Sequence, residues 1–153
     1  MKVKIICVGK IKEPYLRELI ERCVKELKRS CQFELVELKD EKTPDGASVK
    51  EEERIRKIEG ERILSRIPEG SVVIPLCIDG KQMKTKELQQ KWAEWNSRKD
   101  TETVFIIGGS LGLSREVQKR GNLNLSFSKM TFPHQLMRLI LLEQLVQAAG
   151  EKS

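Results

Sequence analysis

Apolar positions recur along this chain with two alternating periods, and the alternation predicts strands and helices in turn. Lys2–Val8 reads as a short buried strand, and Leu16, Leu19, Ile20, Cys23, Val24 and Leu27 then follow at three-four spacing, the mark of an amphipathic helix over Pro14–Lys28. Phe33–Leu38 is strand-like. After the turn residues Pro44, Asp45 and Gly46, a highly charged helix over Val49–Ile67 carries Ile55, Ile58, Ile63, Leu64 and Ile67 as its apolar stripe. A strand over Ser71–Ile78 follows the Pro68-Glu69-Gly70 turn. Pro75 inside it cannot donate a ladder hydrogen bond, so an irregular or interrupted strand is expected there.

Thr85 is placed to cap a helix reaching about Arg98, with Leu88, Trp92 and Trp95 along one side as core or interface anchors. Val104–Ile107 is a fourth strand, running into Gly108-Gly109-Ser110-Leu111-Gly112. Ser114 then caps a short helix to Arg120, and Asn124–Phe127 is a fifth strand. The last helix, beginning near Pro133, is apolar around most of its circumference (Leu136, Met137, Leu139, Ile140, Leu141, Leu142, Leu145, Val146), more than one core-facing stripe requires. Burial on two sides, with a homodimer interface as the second, is the expectation. Five strands alternating with helices predict an α/β domain over residues 1–153: a mainly parallel sheet with helices on both faces and a ligand site at the carboxyl ends of strands.

Composition narrows the function classes. An apolar fraction of 39% over 153 residues is enough for one core without metals or disulfides. No apolar run is long enough to span a bilayer or to serve as the central region of a signal peptide, so a soluble, cytoplasmic protein is expected, with no membrane partner. Cys7, Cys23, Cys31 and Cys77 show no paired spacing and His134 is the one histidine, so free thiols and no metal are expected. The net charge of +6 is unevenly spread: residues 1–30 hold nine Lys/Arg against four Asp/Glu, residues 110–153 six against three, and the middle fourteen against sixteen. Such basic ends favour a nucleic-acid partner.

Two segments carry candidate chemistry. The glycines after the fourth strand allow a ligand to approach the backbone, but they fit neither the dinucleotide fingerprint nor a P-loop, and a tight strand-to-helix turn is the competing reading. Leu125-Ser126-Phe127-Ser128-Lys129-Met130-Thr131-Phe132-Pro133-His134-Gln135 carries more hydrogen-bonding groups than a link between a buried strand and an apolar helix needs. Pro133 suits a first helical turn. At that position the helix dipole would tend to keep His134 neutral, ready to accept a proton or orient a base. No serine or cysteine triad is evident, so covalent hydrolysis is not supported.

Taken together, Gly9-Lys10, the Leu76–Lys81 turn, Ile106-Ile107-Gly108-Gly109-Ser110-Leu111-Gly112-Leu113 and Leu125–Gln135, with Arg138 and Glu143-Gln144 beyond, resemble the RlmH family of SPOUT methyltransferases, colinearly from Met1 to about Leu145. The resemblance implies a SPOUT-type fold with a C-terminal trefoil knot, a homodimer, and S-adenosylmethionine held by three loops. By position those loops supply Leu76, Gly108, and Phe127, Ser128, Lys129, Met130, Thr131 and Phe132 as cofactor-binding residues. A bulky residue at position 108 is then expected to block the pocket with little loss of fold. The implied activity is N3-methylation of pseudouridine 1915 in 23S rRNA on the ribosome, with His134 and Arg138 as candidates to contact the base or its phosphate. The family's C-terminal Tyr-Arg-Ala and Tyr-His-Lys segments have no counterpart in Val146–Ser153, which makes a non-catalytic cofactor- and ribosome-binding homologue the alternative.

Overall fold

A computed structural model describes residues 1–98 and 100–150. The strands are β1 (Lys2–Val8), β2 (Gln32–Leu38), β3 (Val72–Gln82), β4 (Glu102–Ile107) and β5 (Leu125–Ser126). The helices are α1 (Pro14–Leu27), α2 (Val49–Leu64), α3 (Thr85–Asn96), α4 (Arg115–Arg120) and α5 (His134–Gly150). The strands form one sheet in the order β2-β1-β4-β3-β5, and the pairings between these strands are parallel.

Alternation along the central strands divides the core in two. Val3, Ile5 and Cys7 of β1 and Phe105 and Ile107 of β4 face one side, where Leu16, Ile20 and Leu27 of α1, Trp92 and Trp95 of α3 and Leu141, Leu142 and Leu145 of α5 cover them. Trp95 meets Phe105 edge-on, with ring centroids 5.9 Å apart, so the tryptophans are core anchors. Ile6, Val8, Val104 and Ile106 face the other side, under Ile63 of α2 and Val117 of α4. Helices therefore lie on both faces, as the periodicity predicts. No described helix is long and apolar enough to cross a membrane, and no described cluster of His, Cys, Asp and Glu is arranged to hold a metal. All four cysteines are free thiols, and burial pushes Cys7 up to about 12.

Several boundaries differ from the sequence reading, for identifiable reasons. The α3 helix starts with Thr85 already inside it, because the Glu87 carboxylate accepts from the amide of Lys84 at 3.3 Å and leaves no capping role for the threonine hydroxyl. Ser114 does cap α4, accepting from the amide of Val117 at 3.3 Å. β3 runs four residues past Ile78. It pairs with β4 only over Val72–Pro75; beyond that both Leu76 and Lys81 partner Leu125 of β5, so residues 77–80 bow out between them. Pro75 sits at the changeover. The amide of Val73, two positions earlier on the same strand side, donates to Asn122 Oδ1 at 2.8 Å, and the proline ring lies against Gly121, where a Cβ would come within 2.6 Å of Pro75 Cδ. The missing N–H thus falls where the partner segment offers no ladder acceptor, which is how a proline is accommodated inside a sheet.

Candidate active site

The irregular stretch of β3, the loop after β4 and the segment after β5 meet at one end of the sheet around a cavity of about 620 Å³. Each wall has a local cause. The bowed residues 77–80 are drawn tight against β5: the Lys81 amide donates to the Asn124 carbonyl at 2.8 Å, and a Cβ on Gly80 would lie 2.7 Å from that same oxygen. The glycine loop folds back on itself. Gly109 and Gly112 form an isolated bridge, the Gly112 amide donates to the Gly109 carbonyl at 3.0 Å, and Gly112 has φ +80°, a left-handed conformation that favours glycine.

A buried hydroxyl also joins the third wall to the first. Ser126, 2% exposed, lies with Oγ 2.9 Å from the Ile78 carbonyl and 3.0 Å from the Ser128 carbonyl. Its one proton serves one of these acceptors at a time, so the hydroxyl spans both walls. Beyond it, the amide of Met130 donates to Ser128 Oγ at 3.0 Å, a local side-chain turn that shapes the approach to α5.

Of the residues selected from the sequence, the structure brings Leu76, Gly108, Phe127, Ser128, Met130, Thr131, Phe132 and His134 to this cavity. Lys129 does not line it. It is exposed beside the Ser128–Met130 turn, where its ammonium stays hydrated. Sequence reasoning did not select Cys77, Ile78, Ile107 and Met137 as site residues, although they also line the space, since apolar residues at the ends of strands and helices look the same whether they face a core or a ligand. No Lys, Arg, Asp or Glu is among the described lining residues, so the walls are neutral.

Arg138 also lies outside the cavity. It is 0% exposed; Nη1 donates to Glu37 Oε2 at 2.7 Å and Nη2 to the Gly9 carbonyl at 3.2 Å, with the Val8 carbonyl at 3.5 Å. The guanidinium thus pins the first turns of α5 to the carboxyl ends of β1 and β2. Its position one turn before Leu141 and Leu142, on the buried stripe, is the signal that marks it as a core residue.

His134 opens α5 at the cavity wall. Burial lowers its pKa below the ordinary 6.5, the Arg138 cation lowers it further, and Asp40 opposes both. The ring is therefore neutral at pH 7, as the sequence reading expects, with burial and a nearby cation as the causes. The unfolded chain binds this proton more readily than the folded one, so His134 makes stability rise as pH climbs through about 6.5, the pH around which the unfolded histidine loses its proton. An NMR titration of the ring carbon protons should give a midpoint below 6.5; a midpoint above it would contradict this environment.

Comparisons with known proteins agree with this architecture. A family model described as "Predicted SPOUT methyltransferase" matches residues 1–150. The protein named Ribosomal RNA large subunit methyltransferase H of Clostridium novyi (strain NT) is 50% identical over 155 aligned positions, which cover 99% of this chain and 98% of the relative. Its namesake in Streptococcus pneumoniae (strain CGSP14) is 48% identical over 148, covering 97% and 93%. Among solved structures, Lpg2936 from Legionella pneumophila, named as a methyltransferase in complex with the bound cofactor SAM, superposes with a TM-score of 0.54 over 100% of this chain and 68% of its own, at 16% identity, a likeness of fold. With matches that span nearly the whole chain, the protein belongs to the RlmH family of SPOUT methyltransferases.

Proposed function

We propose that the protein is an S-adenosylmethionine-dependent rRNA methyltransferase whose target is N3 of pseudouridine 1915 in 23S rRNA, reached on the assembled ribosome. The observation that supports this most directly is the meeting of three irregular backbone segments, from β3, after β4 and after β5, around one neutral cavity. The close relatives are named for ribosomal RNA methylation, and the similar fold of Lpg2936 is recorded with SAM bound.

The residues present fit the cofactor. A cavity of about 620 Å³ falls within the roughly 300–1,000 Å³ typical of small-molecule sites. Leu76, Ile107, Phe127 and Met137 offer apolar surface for a purine, while the glycine loop exposes backbone amides and carbonyls for its polar edge and the amino-acid end. No cation among the described lining residues opposes a sulfonium. The cofactor supplies an electrophilic methyl group, so the chain's tasks are to bind, to orient and to manage one proton. Neutral walls exclude competing charges, Ser126 sets the spacing of two walls, and the neutral His134 imidazole can accept a proton or a hydrogen bond at the helix start.

The same reading includes the trefoil threading of the C-terminal part, a cytoplasmic location, metal-free catalysis and a homodimer. The exposed Tyr15 and Leu19 on α1 and Leu136 on α5, which packs against α1, support the dimer. The test is incubation of the protein with labelled cofactor and ribosomes lacking the modification, followed by mass spectrometry of the base. A methyl on N3 of that pseudouridine is expected. Cofactor binding without transfer, beside an active relative, would favour a non-catalytic ribosome-binding homologue.

A further inference from the structure

Behind the glycine loop runs α2, and one side of this helix touches the loop at two places and the cap of α4 at a third. Arg56 Nη1 donates to the Leu111 carbonyl at 3.3 Å. Glu59 is 5% exposed, and a Cβ on Gly109 would lie 3.3 Å from its Oε1. A Cβ on Gly60 would overlap Ser114, the cap of α4, so the glycine lets α2 approach that closely. The same helix side also holds the segment after β2: Glu59 Oε2 accepts from the amide of Glu41 at 2.9 Å, and Arg62 pairs with the Glu41 carboxylate and donates to the Lys39 carbonyl at 2.9 Å.

A carboxylate at this position is chemically expensive. Residue 59 falls on the buried stripe between Ile55 and Ile63, where an apolar side chain would satisfy the core without desolvating a charge. Burial raises its pKa, and the hydrogen bond from the Glu41 amide offsets part of that rise. One buried carboxylate thus stands between two chain segments that are not otherwise joined by regular structure.

We propose that Glu59 and Arg56 are positioning residues: through them α2 holds Gly109–Leu111 in the shape that takes the cofactor and couples that loop to residues 39–41. The inference rests on the cofactor reading for its consequence but not for its geometry, so the test has two arms on the full-length protein. In the first, hydrogen exchange of the Gly112 amide, which donates to the Gly109 carbonyl, is measured without cofactor. Glu59→Leu should accelerate it about tenfold or more, while Glu59→Gln, which keeps an acceptor of the same shape, should stay within about threefold of the wild type. In the second arm, calorimetric titration with S-adenosylmethionine should show affinity about tenfold weaker for Glu59→Leu, several-fold weaker for Arg56→Met and near wild type for Glu59→Gln.

Leu27→Ala, in α1 on the opposite face of the sheet, controls for lost stability alone and should leave affinity unchanged. Unaltered Gly112 exchange in Glu59→Leu, or an affinity loss that Leu27→Ala reproduces at equal thermal destabilisation, would overturn the proposal. Wild-type protein that bound no cofactor while the exchange pattern held would reject the cofactor reading and support the brace.

Discussion

Gly108→Val should weaken S-adenosylmethionine binding by about ten- to a hundredfold and lower the melting temperature at the same time. A Cβ at position 108 would lie 2.8 Å from the Gly112 carbonyl carbon, 2.9 Å from its oxygen and 3.0 Å from Leu113 Cδ2. The first two are backbone atoms of a loop already closed by the Gly109–Gly112 bridge, so the strain falls on the cavity wall itself. Overpacking of this kind costs about 1–3 kcal/mol, and each 1.4 kcal/mol that falls on binding is about tenfold in affinity. The sequence expectation is a blocked pocket with little loss of fold; the close approach to Gly112 and Leu113 adds strain within the loop itself. Gly112→Ala is the instructive contrast, because nothing lies within 4 Å of its Cβ and only the left-handed φ of +80° is strained, at about 1–2 kcal/mol. Titration calorimetry and thermal melts of both variants check the pair; wild-type affinity in Gly108→Val would remove this glycine from the site.

The second large effect is on stability. Glu37→Leu leaves the guanidinium of Arg138, whose side chain is 1% exposed, without the one carboxylate it pairs with among the described residues, where Nε also lacks a partner. Breaking a fully buried pair costs about 3–5 kcal/mol; because the Glu37 side chain is 40% exposed and water can reach the vacated position, about 2–3 kcal/mol is expected here. Glu37→Leu combined with Arg138→Met removes the orphaned charge and should recover most of that loss in urea unfolding. A cost below about 0.5 kcal/mol for the single variant, within the range of an exposed pair, would show that the ion pair does not hold the start of α5 to β1 and β2.

These two cases show what is legible in a sequence of this kind. Period located the longer elements, because strands buried on both faces and helices with one apolar stripe leave plain marks: Ile5-Ile6-Cys7-Val8 in β1, and Leu16, Ile20, Cys23 and Leu27 in α1; the short α4 was marked by its Ser114 cap. The glycine loop and the Leu125–Gln135 segment also stood out in the sequence, the second by its number of hydrogen-bonding groups. The return of β3 to pair with β5 was not legible, since the partnership of Lys81 with Leu125 joins segments more than forty residues apart. Glu59 and Arg138 were within reach: each is a charged residue on an otherwise apolar stripe, a pattern that implies a buried partner before any coordinates are known.

The central claim is that segments from three parts of the chain jointly enclose the cofactor. The most direct measurement is a titration of isotope-labelled protein with S-adenosylmethionine, following backbone amide shifts by NMR. The account predicts that the largest shifts fall together on residues 76–78, 108–112 and 127–134, with one common saturation curve, while Lys10 and Arg17 beside the smaller second cavity stay unmoved. Shifts confined to one of the three segments, or centred on the second cavity, would contradict it.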